Sequence, residues 1–107
     1  MFKVGQVFET SYEKETRFKK ILNKHFKTYE IQEDVMIEEG FYPISYLLVE
    51  NDKPKLAILL CDSRSYNSKA IQSTMNMCED VNIPVQRYYK DFRNDEEYIC
   101  NRIKSVL

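Results

Sequence analysis

Leu56-Ala57-Ile58-Leu59-Leu60-Cys61 is a run of six apolar residues without a polar interruption. A strand with one face in water alternates apolar and polar residues, so an unbroken run predicts a strand buried on both faces, at the centre of a sheet with layers on either side. Asn51-Asp52-Lys53-Pro54 stands before it with turn chemistry, and Tyr42 to Val49 before that reads as another strand, so the two form a predicted hairpin. Gly40 marks a turn ahead of this pair. Upstream, Tyr29, Ile31, Val35 and Ile37 alternate with polar neighbours over most of their length, the pattern of a half-buried strand. Asp62-Ser63-Arg64-Ser65 ends the central run.

Helical spacing flanks these strands. Thr10 with Glu13 is a capping-box pattern, and Phe18, Ile21, Leu22 and Phe26 follow at i, i+3, i+4 and i+8, a single buried stripe. Arg17, Lys20, Lys24 and Lys27 share the opposite side as a basic ridge. Ile71, Met75, Cys78 and Val81 give a second stripe, predicting a helix from about Asn67 to Val81. Ile83 to Tyr89 is β-rich, and Pro84, unable to donate to a ladder, places it at an edge or at a strand start. Asn94 with Glu97 repeats the capping pattern before a closing helix carrying Ile99, Ile103 and Val106.

The expectation is an α/β fold: a mixed four-stranded sheet flanked by helices, in the order α-β-β-β-α-β-α. The short turns favour antiparallel pairing of the first three strands. The crossover helix favours a parallel third and fourth.

With 107 residues the chain is expected to be a single domain over 1–107, residues 1–9 being a flexible N-terminal segment. Sixteen Lys plus Arg against 17 Asp plus Glu give a net charge of −1, which removes any global argument for polyanion or membrane binding and leaves only local faces. No apolar run approaches a signal or membrane segment, so a soluble, cytoplasmic protein is expected. Cys61, Cys78 and Cys100 lie in apolar stretches without metal or redox spacing and read as buried free thiols. The only glycines are Gly5 and Gly40, which excludes phosphate loops and dinucleotide fingerprints, and no cofactor is expected. His25, the only histidine, excludes a zinc site or histidine-based triad and suits a helix C-terminus. Ser63, Ser65 and Ser68 suit loop and N-cap roles, Met75 a core role, and Glu33, Asp34, Glu38 and Glu39 a solvated strand edge.

The order of elements, with a hairpin entering a central apolar strand and then a helix and the short strand Ile83-Pro84-Val85-Gln86-Arg87, resembles the PD-(D/E)XK, or restriction-endonuclease-like, nuclease fold from Glu13 to about Leu107. Family members carry Pro-x-Asp-aromatic on one strand and an apolar strand ending in Glu-x-Lys or Glu-x-Asp on the next. Here the matching stretches are Pro43-Ile44-Ser45-Tyr46 and Ile58-Leu59-Leu60-Cys61-Asp62. The resemblance implies a divalent metal, usually Mg²⁺, held by acids at positions that are Ser45 and Leu59 here, with Cys61 in place of the Lys or second acid. The expected function is therefore a non-catalytic nuclease-fold binding module for nucleic acid or a protein partner, or a homodimer. One alternative is a divergent Mg²⁺-dependent nuclease using Asp62 with Glu13 or Glu15. Another is a small immunity, antitoxin or phage-encoded inhibitor protein. The candidate nucleic-acid contacts are Arg17, Lys20, Lys24 and Lys27 on the ridge, and Arg87 and Tyr89 in the segment Arg87-Tyr88-Tyr89-Lys90-Asp91-Phe92-Arg93, where cations alternate with aromatics.

Overall fold

A computed structural model describes residues 11–62, 64, 65, 67–89 and 96–107, with side chains from residue 17 onward. Its elements are α1 (Ser11–His25), β1 (Glu30–Val35), β2 (Ile44–Glu50), β3 (Lys53–Cys61), α2 (Lys69–Asp80), β4 (Val85–Tyr89) and α3 (Glu96–Lys104). The strands form one mixed sheet in the order β1-β2-β3-β4. β1 and β2 pair antiparallel, as do β2 and β3, while β3 and β4 are parallel. The expected fold class and element order are those observed. Thr10, Asn94 and the stretches 1–9 and 90–93 lie outside the described residues, and with them both capping-box readings.

β3 is the spine of the molecule, and alternate residues of its apolar run supply two different cores. Leu56, Ile58 and Leu60 join Tyr46, Leu48 and Tyr88 on one face, under Phe18, Ile21 and Leu22 of α1, Phe26 just beyond its end, and Ile99, Cys100 and Ile103 of α3. Ala57, Leu59 and Cys61 join Leu47 and Val49 on the other, under Ile71 and Cys78 of α2. Full burial of a Leu or Ile side chain contributes roughly 1.5–3 kcal/mol, so neither layer can be removed without exposing half of the strand's apolar surface.

Turn chemistry sets the register. Asn51 and Asp52 join β2 to β3 with φ of 54° and 64°, the left-handed pair that a type I′ hairpin requires. Pro54 pairs with Val49 where the register shifts by one, which accommodates a residue without an N–H inside a ladder. Gly40, at φ 88°, closes a turn in which Phe41 N–H donates to Glu38 C=O. Ser68 caps α2 by accepting Ile71 N–H at 3.2 Å. At the other end, Ile83 N–H donates to Cys78 C=O and Asn82 N–H to Glu79 C=O, with Asn82 at φ 62°, which is the Schellman arrangement with Asn in the left-handed position. Pro84 precedes the edge strand β4, and its carbonyl accepts Ala57 N–H.

Three expectations are corrected. Val81 is 55% exposed, because α2 ends at Asp80 and the Schellman turn carries Val81 off the stripe. Val106 is 41% exposed for the same reason, lying beyond the end of α3. Tyr29, Ile31, Val35 and Ile37 do not share a face. Tyr29 and Ile31 pack under α1, whereas Val35 and Ile37 pack on the α2 side. Asp34, at φ 50°, falls between them and turns the chain, and β1 ends at Val35.

Candidate functional site

The positions matched to nuclease acids lie where β2 and β3 part company. The β2–β3 ladder has Tyr46 opposite Ile58 as its last pair on this side. Beyond it, Ser45 Oγ accepts Leu60 N–H at 3.0 Å and Tyr42 Oη donates to Leu60 C=O at 2.8 Å. Two side chains thus continue a ladder that backbone has left. Leu59 and Cys61 are each fully buried against the α2 layer, and Cys61 Sγ–H lies 3.7 Å from Leu59 C=O. An Mg²⁺ site needs several anionic oxygens. Here one hydroxyl is committed to a backbone N–H and the other two positions are core, so these residues do not fit the metal that the resemblance implies.

Asp62 follows at once and is exposed. Its Oδ1 accepts Ser65 N–H at 2.8 Å and Arg64 N–H at 3.0 Å, and its own N–H donates to Ser65 Oγ at 3.1 Å. These bonds, chiefly those from Ser65, hold the Asp62 carboxyl below its ordinary value. Asp62 is a turn-forming Asx residue with one oxygen already committed. Glu13 and Glu15 fall within α1, with side chains outside the described residues. Among the described residues, no group of three or more His, Cys, Asp or Glu is placed to hold a metal ion.

On α1, Lys20 and Lys24 are exposed and Arg17 is half-buried, whereas Lys27, expected on the same helical ridge, is exposed in the turn after α1, because the helix ends at His25. The ridge is partly neutralised by residues far away in sequence. Lys24 Nζ lies 3.2 Å from Glu96 Oε2 at the start of α3, and His25 Nε2 meets the same oxygen. The His25 and Lys24 hydrogen bonds hold the Glu96 carboxyl below its ordinary value. One helical position outside the ridge, Lys19 pairs with Glu33 of β1 at 2.6 Å. Among the described residues Lys20 and Lys27 form no ion pair.

The β4 segment divides as strand alternation requires. Tyr88 is 2% exposed and Tyr89 is 43% exposed. The Tyr88 hydroxyl donates to Gln86 Oε1 at 2.6 Å, and Gln86 Nε2 donates to Arg102 C=O at 2.8 Å, which ties β4 to α3. Burial pushes the Tyr88 hydroxyl up to about 12 even though the Arg102 guanidinium sits 4.8 Å from its ring centre. Arg87 Nη1 donates to Asn67 Oδ1 at 3.4 Å, ahead of α2. Arg87 and Tyr89 therefore sit on the α2 side of the sheet, and the ridge sits on the other. The two sets of candidate contacts do not converge on one surface. The rest of the cation–aromatic segment, Lys90 to Arg93, lies outside the described residues.

Sequence reasoning missed Tyr42, Thr74, Gln86 and Glu96. Thr74, fully buried within α2, donates its hydroxyl to Tyr42 C=O at 2.7 Å, and Tyr42 N–H donates to Ala70 C=O. Tyr42 is thus the strut between α2 and β3. Its only sequence signal was an aromatic residue at a strand entry, which says nothing about a partner 32 residues away. The three cysteines are free and buried, as expected, with Cys78 and Cys100 pushed up by burial. No helix among the described residues is long and apolar enough to cross a membrane. Comparison with known proteins returns no relative for this chain: no family model, no curated protein and no solved structure matches it.

Proposed function

We propose that this chain is a non-catalytic binding module on a nuclease-like scaffold, and that it meets nucleic acid through the exposed side of α1. The observation that carries the non-catalytic reading is the bond from Leu60 N–H to Ser45 Oγ, together with the complete burial of Leu59 and Cys61. Positions that a nuclease would give to metal ligands here hold the sheet together. Hydrolysis through Asp62 would need further anionic ligands beside it, and Asp62 itself is engaged in its own turn. The binding reading rests on Lys20, on the side of α1 opposite Phe18 and Leu22, and on Lys27 in the turn that follows the helix, both exposed and without acidic partners among the described residues.

The test has two arms. Purified protein incubated with DNA and RNA in Mg²⁺ or Mn²⁺ is expected to leave both intact, and reproducible cleavage lost in Asp62→Ala would overturn the non-catalytic reading. A fluorescence titration of a labelled duplex and a labelled single strand at low salt is expected to show a complex. Its absence at the highest soluble protein concentration would remove nucleic acid as the partner.

A further inference from the structure

The C-terminal half of α2 and the entry to β4 enclose a groove of about 470 Å³ on the side of the sheet remote from the α1 ridge. Its floor is apolar: Met75, Ile83, Pro84 and Val85. Three of these, Met75, Ile83 and Val85, pack inward against the α2-side core and are only partly covered, so each presents its remaining surface to the groove.

The rim carries Glu79 beside Asn76 and Asn82, and the helix end that supplies it goes against the usual rule for helices. A helix C-terminus carries the negative end of the macrodipole and favours cations in its last turn. α1 ends in Lys24 and His25, and α3 in Arg102 and Lys104. α2 has no basic residue in its last turn and ends in Glu79 and Asp80, and Glu79 lines the groove. Neither acid forms an ion pair among the described residues. Negative charge therefore accumulates beside an apolar surface with no internal compensation.

Backbone recognition at this floor is limited. Ile83 N–H and Asn82 N–H are consumed by the Schellman bonds, Pro84 has no N–H, and Pro84 C=O accepts from Ala57. A cation on an apolar stem satisfies both parts of the groove, because Lys and Arg lay their methylenes on apolar surface while keeping the charged head at the rim. A polyanion is repelled by the same acids.

We propose that this groove is a docking site for a segment of a protein partner in which Lys or Arg alternates with apolar residues. The site is independent of the α1 ridge and stands or falls separately from nucleic-acid binding.

The probe is a blocked hexapeptide of alternating Leu and Arg, titrated into the full-length, isotopically labelled protein and followed by amide chemical shifts. Saturable shifts confined to Asn76, Glu79, Asn82 and Val85 are expected, with no response to the same peptide carrying Glu in place of Arg. Glu79→Lys with Asp80→Lys should weaken binding roughly tenfold or more, and should leave the thermal midpoint unchanged or raised, because both sites are exposed and Lys suits a helix end. Asn76→Arg, on the exposed rim, should weaken binding as a second variant. The proposal is overturned by an equal response to the Glu peptide, by no response, or by shifts centred on the acidic β1 edge at Glu30, Glu33 and Asp34. Sedimentation should show a monomer. Self-association abolished by Lys20→Ala with Lys27→Ala would make a second copy the occupant and overturn the assignment to a different protein.

Discussion

Ser45 Oγ accepts the N–H of Leu60 at 3.0 Å, just past the point where backbone pairing between β2 and β3 stops. The relationship explains why a serine suits a position that the resemblance assigns to a metal-binding acid. A buried strand cannot leave its amides unpaired, and a hydroxyl on the neighbouring strand supplies the acceptor. Ser45→Ala removes that acceptor and should lower stability by ~1–3 kcal/mol. The check is a urea unfolding curve whose midpoint falls with little change in slope, accompanied by faster hydrogen exchange at the Leu60 amide. An unchanged midpoint would show that water replaces the hydroxyl at no cost.

Glu96 joins α3 to the last turn of α1 through Lys24 and His25. Its carboxyl is held below its ordinary value, first by the His25 bond and then by the Lys24 bond. On acidification the unfolded chain takes up the proton first, so the stabilisation is present at neutral pH and is lost as pH falls through the folded-state value. Thermal midpoints of the wild type and Glu96→Gln should differ at pH 7 and converge in acid. A gap that widens on acidification would contradict this coupling.

The ridge can be dissected by salt dependence. If duplex DNA binds, Lys20→Ala and Lys27→Ala should each lower the slope of log affinity against log salt by about 0.9. Lys24→Ala should have a smaller effect, since Glu96 already pairs with that ammonium. Glu96→Gln should strengthen binding by releasing it. Tyr89→Ala should leave duplex affinity unchanged and matter only for single strands, where stacking contributes ~1–3 kcal/mol per base.

Cys61, Cys78 and Cys100 are all buried, and burial pushes the Cys78 and Cys100 thiols up, away from the reactive thiolate. Alkylation of the native protein at neutral pH should be slow at all three sites and should go to completion in urea. Intact mass measured over time separates the two cases. Rapid modification of one thiol without denaturant would show that its layer opens locally.

Local patterns carried most of the architecture. The run Leu56 to Cys61 marked the spine of the sheet because only a strand covered on both faces can dispense with polar residues. The stripe of Phe18, Ile21, Leu22 and Phe26 marked the buried side of α1 for the same reason, expressed at helical period. Pattern reading failed where a backbone turn broke the period. Val81 and Val106 continued a helical spacing past the actual helix ends, and Asp34 sent Ile31 and Val35 to opposite sides of the sheet.

What the sequence alone determined was the kind and order of the elements, since helical and strand periodicity, caps and turn residues are properties of neighbours in the chain. The tertiary structure alone decided which polar groups hold the layers together. Tyr42 with Thr74 and Leu60, Ser45 with Leu60, Gln86 with Arg102, and Glu96 with His25 are pairs separated by 15 to 71 residues. No local pattern encodes such a pair, because a hydrogen bond depends on where two backbones are brought in space. The acidic groove between α2 and β4 belongs to the same class: Glu79 is visible in the sequence, but the apolar floor beside it exists only once β4 has joined the sheet next to β3.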